Sequence, residues 1–213
     1  MKFLIVTEGR TGSTALVQYL DSFPETSCMG EIFHGSFHLY SVLAEKDPVR
    51  YINQIIPKNK VSGCKIIMGY HTEENLQNIC NSDFKLIFLY RSDIFYSILS
   101  SYLANKAQEW GDYSNKIGND LVIDEESFDK MISAKIKGLK RIKLLSKSYP
   151  GFPIEYNELQ DSTRIRELLL FIGVNPIKEL RLPGKKIFND NVAKKIRNLD
   201  YLIEKYKDLG DNA

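Results

Sequence analysis

Short runs of consecutive apolar residues recur along the chain, with stretches of helical spacing between them. The runs are "KFLIV" from Lys2 to Val6, "SCMG" from Ser27 to Gly30 and "GCKIIMGY" from Gly63 to Tyr70. Two more are "FKLIFLY" from Phe84 to Tyr90 and "FPIEY" from Phe152 to Tyr156. Unbroken apolar runs of this length predict strands covered on both faces, as in a parallel sheet. Ile94 to Lys106, Glu125 to Lys147, Thr163 to Ile172 and Val192 to Tyr206 predict helices. Strands alternating with helices define an α/β three-layer sandwich around a central, mostly parallel sheet. Ligand sites in such folds lie beyond the C-terminal ends of the strands.

The segments leaving the strand ends therefore matter most. After "KFLIV" comes "VTEGRTGSTALVQYL", which puts Arg10, Thr11, Gly12, Ser13 and Thr14 at the mouth of a predicted helix. The first turn of a helix leaves N–H groups unpaired, and its dipole adds partial positive charge. Glycine lets the backbone approach a ligand closely. Three hydroxyls and a permanent guanidinium complete a set suited to a phosphate or sulfate group. The plainer alternative is an ordinary turn in which Ser13 or Thr14 caps the helix. A Walker A loop is excluded, because it needs a lysine directly after its second glycine and Ser13 follows Gly12. No G-x-G-x-x-G fingerprint is present either.

The second strand leads into "GEIFHGSFH", with Glu31, His34 and His38. The fourth leads into Arg91 and "SDIFYSILSSY". Asp93 is placed to cap the helix after Arg91. Phe95, Ile98, Leu99 and Tyr102 make a core face at helical spacing. Ser97, Ser100, Ser101 and Ala104 form a second stripe. That stripe suits either close helix packing or a hydroxyl surface beside Arg91 for a second phosphate, and spacing does not choose which serine points inward.

Composition narrows the picture. A chain of 213 residues without a linker or internal repeat reads as one domain, residues 1–213. A formal net charge of +2 is too mild to suggest nucleic acid. Cys28, Cys64 and Cys80 are odd in number and widely spaced, which suggests neither a zinc site nor a disulfide framework but buried, reduced thiols in a cytoplasmic setting. The apolar run at Phe3 to Val6 is too short for a signal-peptide core or a membrane span. In the basic stretch Lys135 to Lys147, Ile136, Leu139, Ile142 and Leu145 supply an apolar face whose lysines form the solvated side. Trp110 and Tyr113 suit either a sugar-stacking platform or a core position.

The chain resembles the sulfotransferases that use 3′-phosphoadenosine 5′-phosphosulfate (PAPS). "TEGRTGSTALVQYL" is similar to their 5′-phosphosulfate loop, and "LIFLYRSDIFYSILSSY" to their 3′-phosphate motif. Ser100 stands nine residues after Arg91, the spacing of the bacterial carbohydrate branch, of the trehalose and lipopolysaccharide type. "GCKIIMGYH", "SYLANKAQEWGDY", "PIEYNEL" and "IRELLLFIGV" resemble further segments of that family in the same order. The Lys-Gly-rich C-terminal loop of the cytosolic members is absent, and "LPGKKIFNDN" stands in its region.

The resemblance implies a P-loop kinase-like fold and transfer of a sulfuryl group from PAPS to a hydroxyl or amine on a carbohydrate or small molecule, with no metal required. It places Arg10, Thr11, Gly12, Ser13 and Thr14 at the leaving group, Arg91 and Ser100 at the 3′-phosphate, and Tyr156 at the adenine. Lys185 and Lys186 are either phosphate-closing or surface lysines. Glu31 matches a glutamate base of the sugar-sulfating relatives. His34 is the alternative base, since some members use histidine and its ordinary pKa of about 6.5 suits the role. Two other functions stay open: a small-molecule kinase on the same kind of fold, and a nucleotide-binding module without turnover.

Overall fold

The computed structural model describes residues 1–33, 41–58, 60–109, 113–175 and 190–209. Five strands form one sheet: β1 (Lys2–Thr7), β2 (Thr26–Glu31), β3 (Val61–Ile67), β4 (Lys85–Tyr90) and β5 (Gly151–Glu155). Their order is β2-β3-β1-β4-β5 and every pairing is parallel. β1 is central because it is apolar throughout: Phe3, Leu4, Ile5 and Val6 are fully buried. The chain first crosses from β1 to the β2 edge and later passes β1 to reach β4, so the direction of winding reverses at β1. A loop leaving β1 at such a reversal lies in a ready-made crevice.

The helices are α1 (Ser13–Asp21), α2 (Ser41–Lys46), α3 (Pro48–Ile55), α4 (Glu73–Cys80), α5 (Ile94–Ala107), α6 (Glu125–Ser148), α7 (Ser162–Phe171), α8 (Asp190–Ala193) and α9 (Leu199–Lys205). Two compact units result, one of residues 1–90 with 141–183, the other of 91–140 with 184–213. The first contains the sheet. Its core packs α1 and α7 on one layer, with Leu16, Leu20, Leu168 and Leu169 against Phe3, Ile5, Ile87 and Leu89. The second unit has an aromatic core, in which Phe128 meets Phe95 at 5.8 Å and Tyr206 at 5.6 Å between ring centroids.

All five strands fall where the apolar runs predict them, with ends shifted by a residue or two and the third run trimmed most. Met68 to Tyr70 leaves the third strand and closes a 3₁₀ turn. The predicted helix from Val192 to Tyr206 is broken in two. Leu121 and Ile196 form a bridge between them, and the Asn198 side chain both accepts from Ile123 N–H and donates to Ile123 C=O, at 3.0 and 2.9 Å. Those bonds hold the backbone out of helical geometry. Helix α5 is not one-sided: Ser97, Ser100 and Ala104 are buried as well as Phe95, Ile98 and Leu99, so both stripes are covered. On α6 the apolar stripe holds at Leu139, Ile142 and Leu145, but Lys135 is buried rather than solvated.

Candidate active site

The loop after β1 is shaped from within. Thr7 is fully buried, and its hydroxyl lies 2.6 Å from that of Thr11 and donates to Leu89 C=O at 2.8 Å. Thr11 also donates to Glu8 C=O at 3.1 Å, so its hydroxyl serves the turn. Arg10 and Gly12 both take left-handed backbone, with φ of 61° and 78°. That conformation is natural for Gly12 and uncommon for an arginine, which marks the loop as held rather than relaxed. Gly12 is required twice over. A Cβ there would stand 2.9 Å from the Tyr156 ring as well as demanding positive φ. Tyr156, which opens the 3₁₀ turn after β5, is thus packed on the loop.

Gly12, not Ser13 or Thr14, is the N-cap of α1, and no side chain caps it. Helices α3, α4, α5 and α7 are capped by Asp47, Thr72, Asp93 and Asp161, whereas α9, like α1, has no side-chain cap. The first turn of α1 therefore keeps donors that the capped helices have satisfied. Ser13 is buried and Thr14 is exposed.

The other side of this loop is formed by β2 and β3. Their register slips between Met29 and Glu31, and the extra residue, Gly30, puts Glu31 opposite Lys65. Such a bulge re-aims a side chain at a strand end. The Lys65 ammonium lies 2.7 Å from Glu31 Oε1 and donates to Thr14 Oγ1 at 3.4 Å. The Lys65 side chain is 7% exposed and that of Glu31 31%. A buried lysine needs such a partner, because an unpaired charge in the interior is costly. Beyond Glu31 the chain is anchored: Tyr51 donates to Ile32 C=O at 2.8 Å, and Phe33 meets Tyr51 and His71 tilted and edge-on, at 5.1 and 4.5 Å. Burial and then the Glu31 carboxylate raise the Tyr70 phenol above its ordinary range, and the side chain stays exposed. Burial and then Arg141 lower His71 to about 4, so it is neutral near pH 7.

Arg91 and Ser100 lie in the second unit. The Arg91 guanidinium donates to Asp93 at 2.9 Å, and Asp93 also accepts from Tyr96 N–H as the cap of α5. Ser97 and Ser100 point inward, while the Ser101 hydroxyl returns to Ser97 C=O. Tyr113 is fully buried and donates to Ser100 Oγ at 3.2 Å, so its ring offers no face to a sugar. His34, His38, Trp110, Lys185 and Lys186 lie outside the described residues.

Lys65 joins Glu31 and Thr14 only in three dimensions. A signal for Lys65 stands in "GCKIIM", where one lysine interrupts a strand buried on both faces. For Tyr113, named above beside Trp110, the sequence carries no signal of its bond to Ser100. Among the described residues, no cluster of three His, Cys, Asp or Glu side chains stands ready for a metal, and no helix is long and apolar enough to cross a membrane.

No protein-family profile and no curated protein matches the sequence. Among solved structures, the crystal structure of a sulfotransferase from Alicyclobacillus acidocaldarius is similar over 95% of each chain, with a TM-score of 0.51 and 16% identity. The molecule accordingly has a P-loop-like α/β fold with a five-stranded parallel sheet, of the kind seen in that sulfotransferase.

Proposed function

We propose that this protein transfers a sulfuryl group from PAPS to a hydroxyl on a carbohydrate or small molecule. The observation that carries the reading is the uncapped first turn of α1. It follows a held, lysine-free loop with Arg10 in it, and it stands beside an ion pair that contains a candidate base. In this reading the loop from Arg10 to Thr14 takes the 5′-phosphosulfate, and Tyr156, already packed on Gly12, takes the adenine. Arg91 and Ser100 take the 3′-phosphate. The acceptor oxygen bonds to sulfur as the bond from sulfur to the phosphate oxygen breaks. The acceptor's proton passes to Glu31, and adenosine 3′,5′-bisphosphate leaves. The chain's work is positioning and charge stabilisation rather than covalent catalysis. The three cysteines are free and buried, which supports a reducing, cytoplasmic location as part of the same proposal.

Calorimetric titration with adenosine 3′,5′-bisphosphate tests the donor, and a panel of acceptors with labelled PAPS tests the transfer. Binding of the bisphosphate is expected, and Arg91→Ala should weaken it by about 1.5–3 kcal/mol while leaving adenosine 5′-phosphate nearly unaffected. Equal losses for both nucleotides would remove Arg91 from the 3′-phosphate. Binding of a magnesium nucleoside triphosphate in place of the bisphosphate would point to a kinase.

A further inference from the structure

We propose that Lys65 is a binding residue for the anionic end of the donor and couples occupancy of the α1 loop to Glu31. The inference deepens the sulfotransferase reading and rests on it for the identity of the donor. One ammonium spans two groups with different tasks. It is 2.7 Å from the carboxylate of the candidate base and 3.4 Å from the hydroxyl of Thr14, in the loop that receives the anion. Thr14 is exposed and Lys65 is not, so the hydroxyl faces the incoming ligand and the ammonium stands just behind it.

The loop itself has no lysine, and Arg10 is its one cation between Thr7 and Thr14. Lys65 supplies a second from β3. A lysine ammonium has three donors on a flexible stem, and only one is needed for a short ion pair with Glu31. An anion bound to the Thr14 hydroxyl comes within reach of the same ammonium. Its charge competes with the single carboxylate across a poorly solvated gap, where such attraction is stronger than in water. The bulge at Gly30 makes the arrangement specific, because regular pairing would put Gly30, not Glu31, opposite Lys65. With the loop empty, Glu31 is held in its ion pair. With the donor in place, the ammonium is shared with the anion and the carboxylate is released to take the acceptor's proton. The base is thus freed only when there is a sulfuryl group to transfer.

Inorganic pyrophosphate, as a probe of the loop alone, and adenosine 3′,5′-bisphosphate, as a probe of the nucleotide, would each be titrated into the full chain. The Glu31 side-chain carboxyl resonance would be followed in ¹³C-labelled protein and assigned by its loss in Glu31→Gln. Pyrophosphate should shift that resonance in the wild type. Lys65→Met should weaken pyrophosphate roughly 10- to 150-fold, the span of a charge-assisted hydrogen bond, and abolish the shift. A purely structural ion pair would move neither. The proposal is overturned if the resonance stays put at saturation, a measurement on the wild type that needs no variant to fold. A folded Lys65→Met that binds within about twofold of the wild type likewise overturns it. If pyrophosphate gives both effects and the bisphosphate does not bind, Lys65 keeps its role and PAPS is the wrong donor. If the bisphosphate binds without either effect, the donor stands and Lys65 falls. If neither ligand binds, both fall.

Discussion

Tyr113 and Ser100 are joined through their hydroxyls at 3.2 Å, with the tyrosine fully buried and the serine 9% exposed. The bond ties the stretch from Tyr113 to Ile123 to α5. Lys195 ties the same stretch to the C-terminal segment by donating to Ser114 C=O at 3.0 Å and Ile117 C=O at 2.9 Å. The serine proposed for the 3′-phosphate is therefore oriented by a tyrosine that the sequence offers as a sugar platform or a core residue, not as a partner of Ser100.

Tyr113→Phe keeps the ring and removes that hydroxyl. A buried hydrogen bond contributes about 0.5–1.5 kcal/mol net, so the midpoint of urea unfolding should fall by that equivalent with an unchanged m-value. Adenosine 3′,5′-bisphosphate should bind more weakly and adenosine 5′-phosphate as before. Equal affinity of wild type and variant for the bisphosphate would mean that Tyr113 serves packing alone.

The sheet was legible because its strands are buried on both faces, which writes each one as an unbroken apolar run. The cap at Asp93 and, in outline, the long helices α5, α6 and α7 were legible from local chemistry. The features that could not be read depend on contacts far apart in the chain. The break between α8 and α9 comes from Leu121 and Ile123 reaching across to Ile196 and Asn198. Helices α2, α3 and α4 are short, and no long apolar stripe announces them. The loop chemistry was visible as residue types, but the division of labour was not. Thr11 bonds to Thr7, Thr14 accepts from the buried Lys65, and only the fold assigns these partners.

His71 makes a prediction about acid stability. Its folded-state value is lowered to about 4, by burial and then by Arg141, from an ordinary 6.5. As pH falls below about 6.5, the unfolded chain takes up a proton that the folded chain refuses. Stability is therefore lost between about pH 6.5 and 4 and changes no further below that on this group's account, a loss on the order of 3 kcal/mol. The ring packs edge-on against Phe33, and its Nε2 has no partner among the described residues. His71→Phe should keep the packing and remove this slope. The stability difference between wild type and variant, measured by urea unfolding from pH 7.5 to 4, cancels the carboxylates common to both. A difference independent of pH would show that His71 titrates normally.

Glu31→Gln separates two roles that the structure gives to one carboxylate, a candidate base and the counter-ion of Lys65. Removing the charge leaves an ammonium that is 7% exposed without its anion. Breaking a wholly buried pair costs about 3–5 kcal/mol, and the 31% exposure of Glu31 brings the expected loss nearer to about 2–3 kcal/mol. A fall in turnover for this variant alone is ambiguous, since a displaced Lys65 would disturb Thr14 and the loop. The double variant Glu31→Gln with Lys65→Met removes both charges and should recover most of the lost stability, giving a coupling energy of roughly 1 kcal/mol or more in the cycle. Turnover at saturating labelled PAPS, with whichever acceptor the panel yields, then decides the role. A general base contributes about 10²–10⁴-fold, so a base at Glu31 predicts that the double variant is as slow as Glu31→Gln. Turnover restored along with stability would show that Glu31 only holds Lys65 in place, and would move the proton acceptor to another residue.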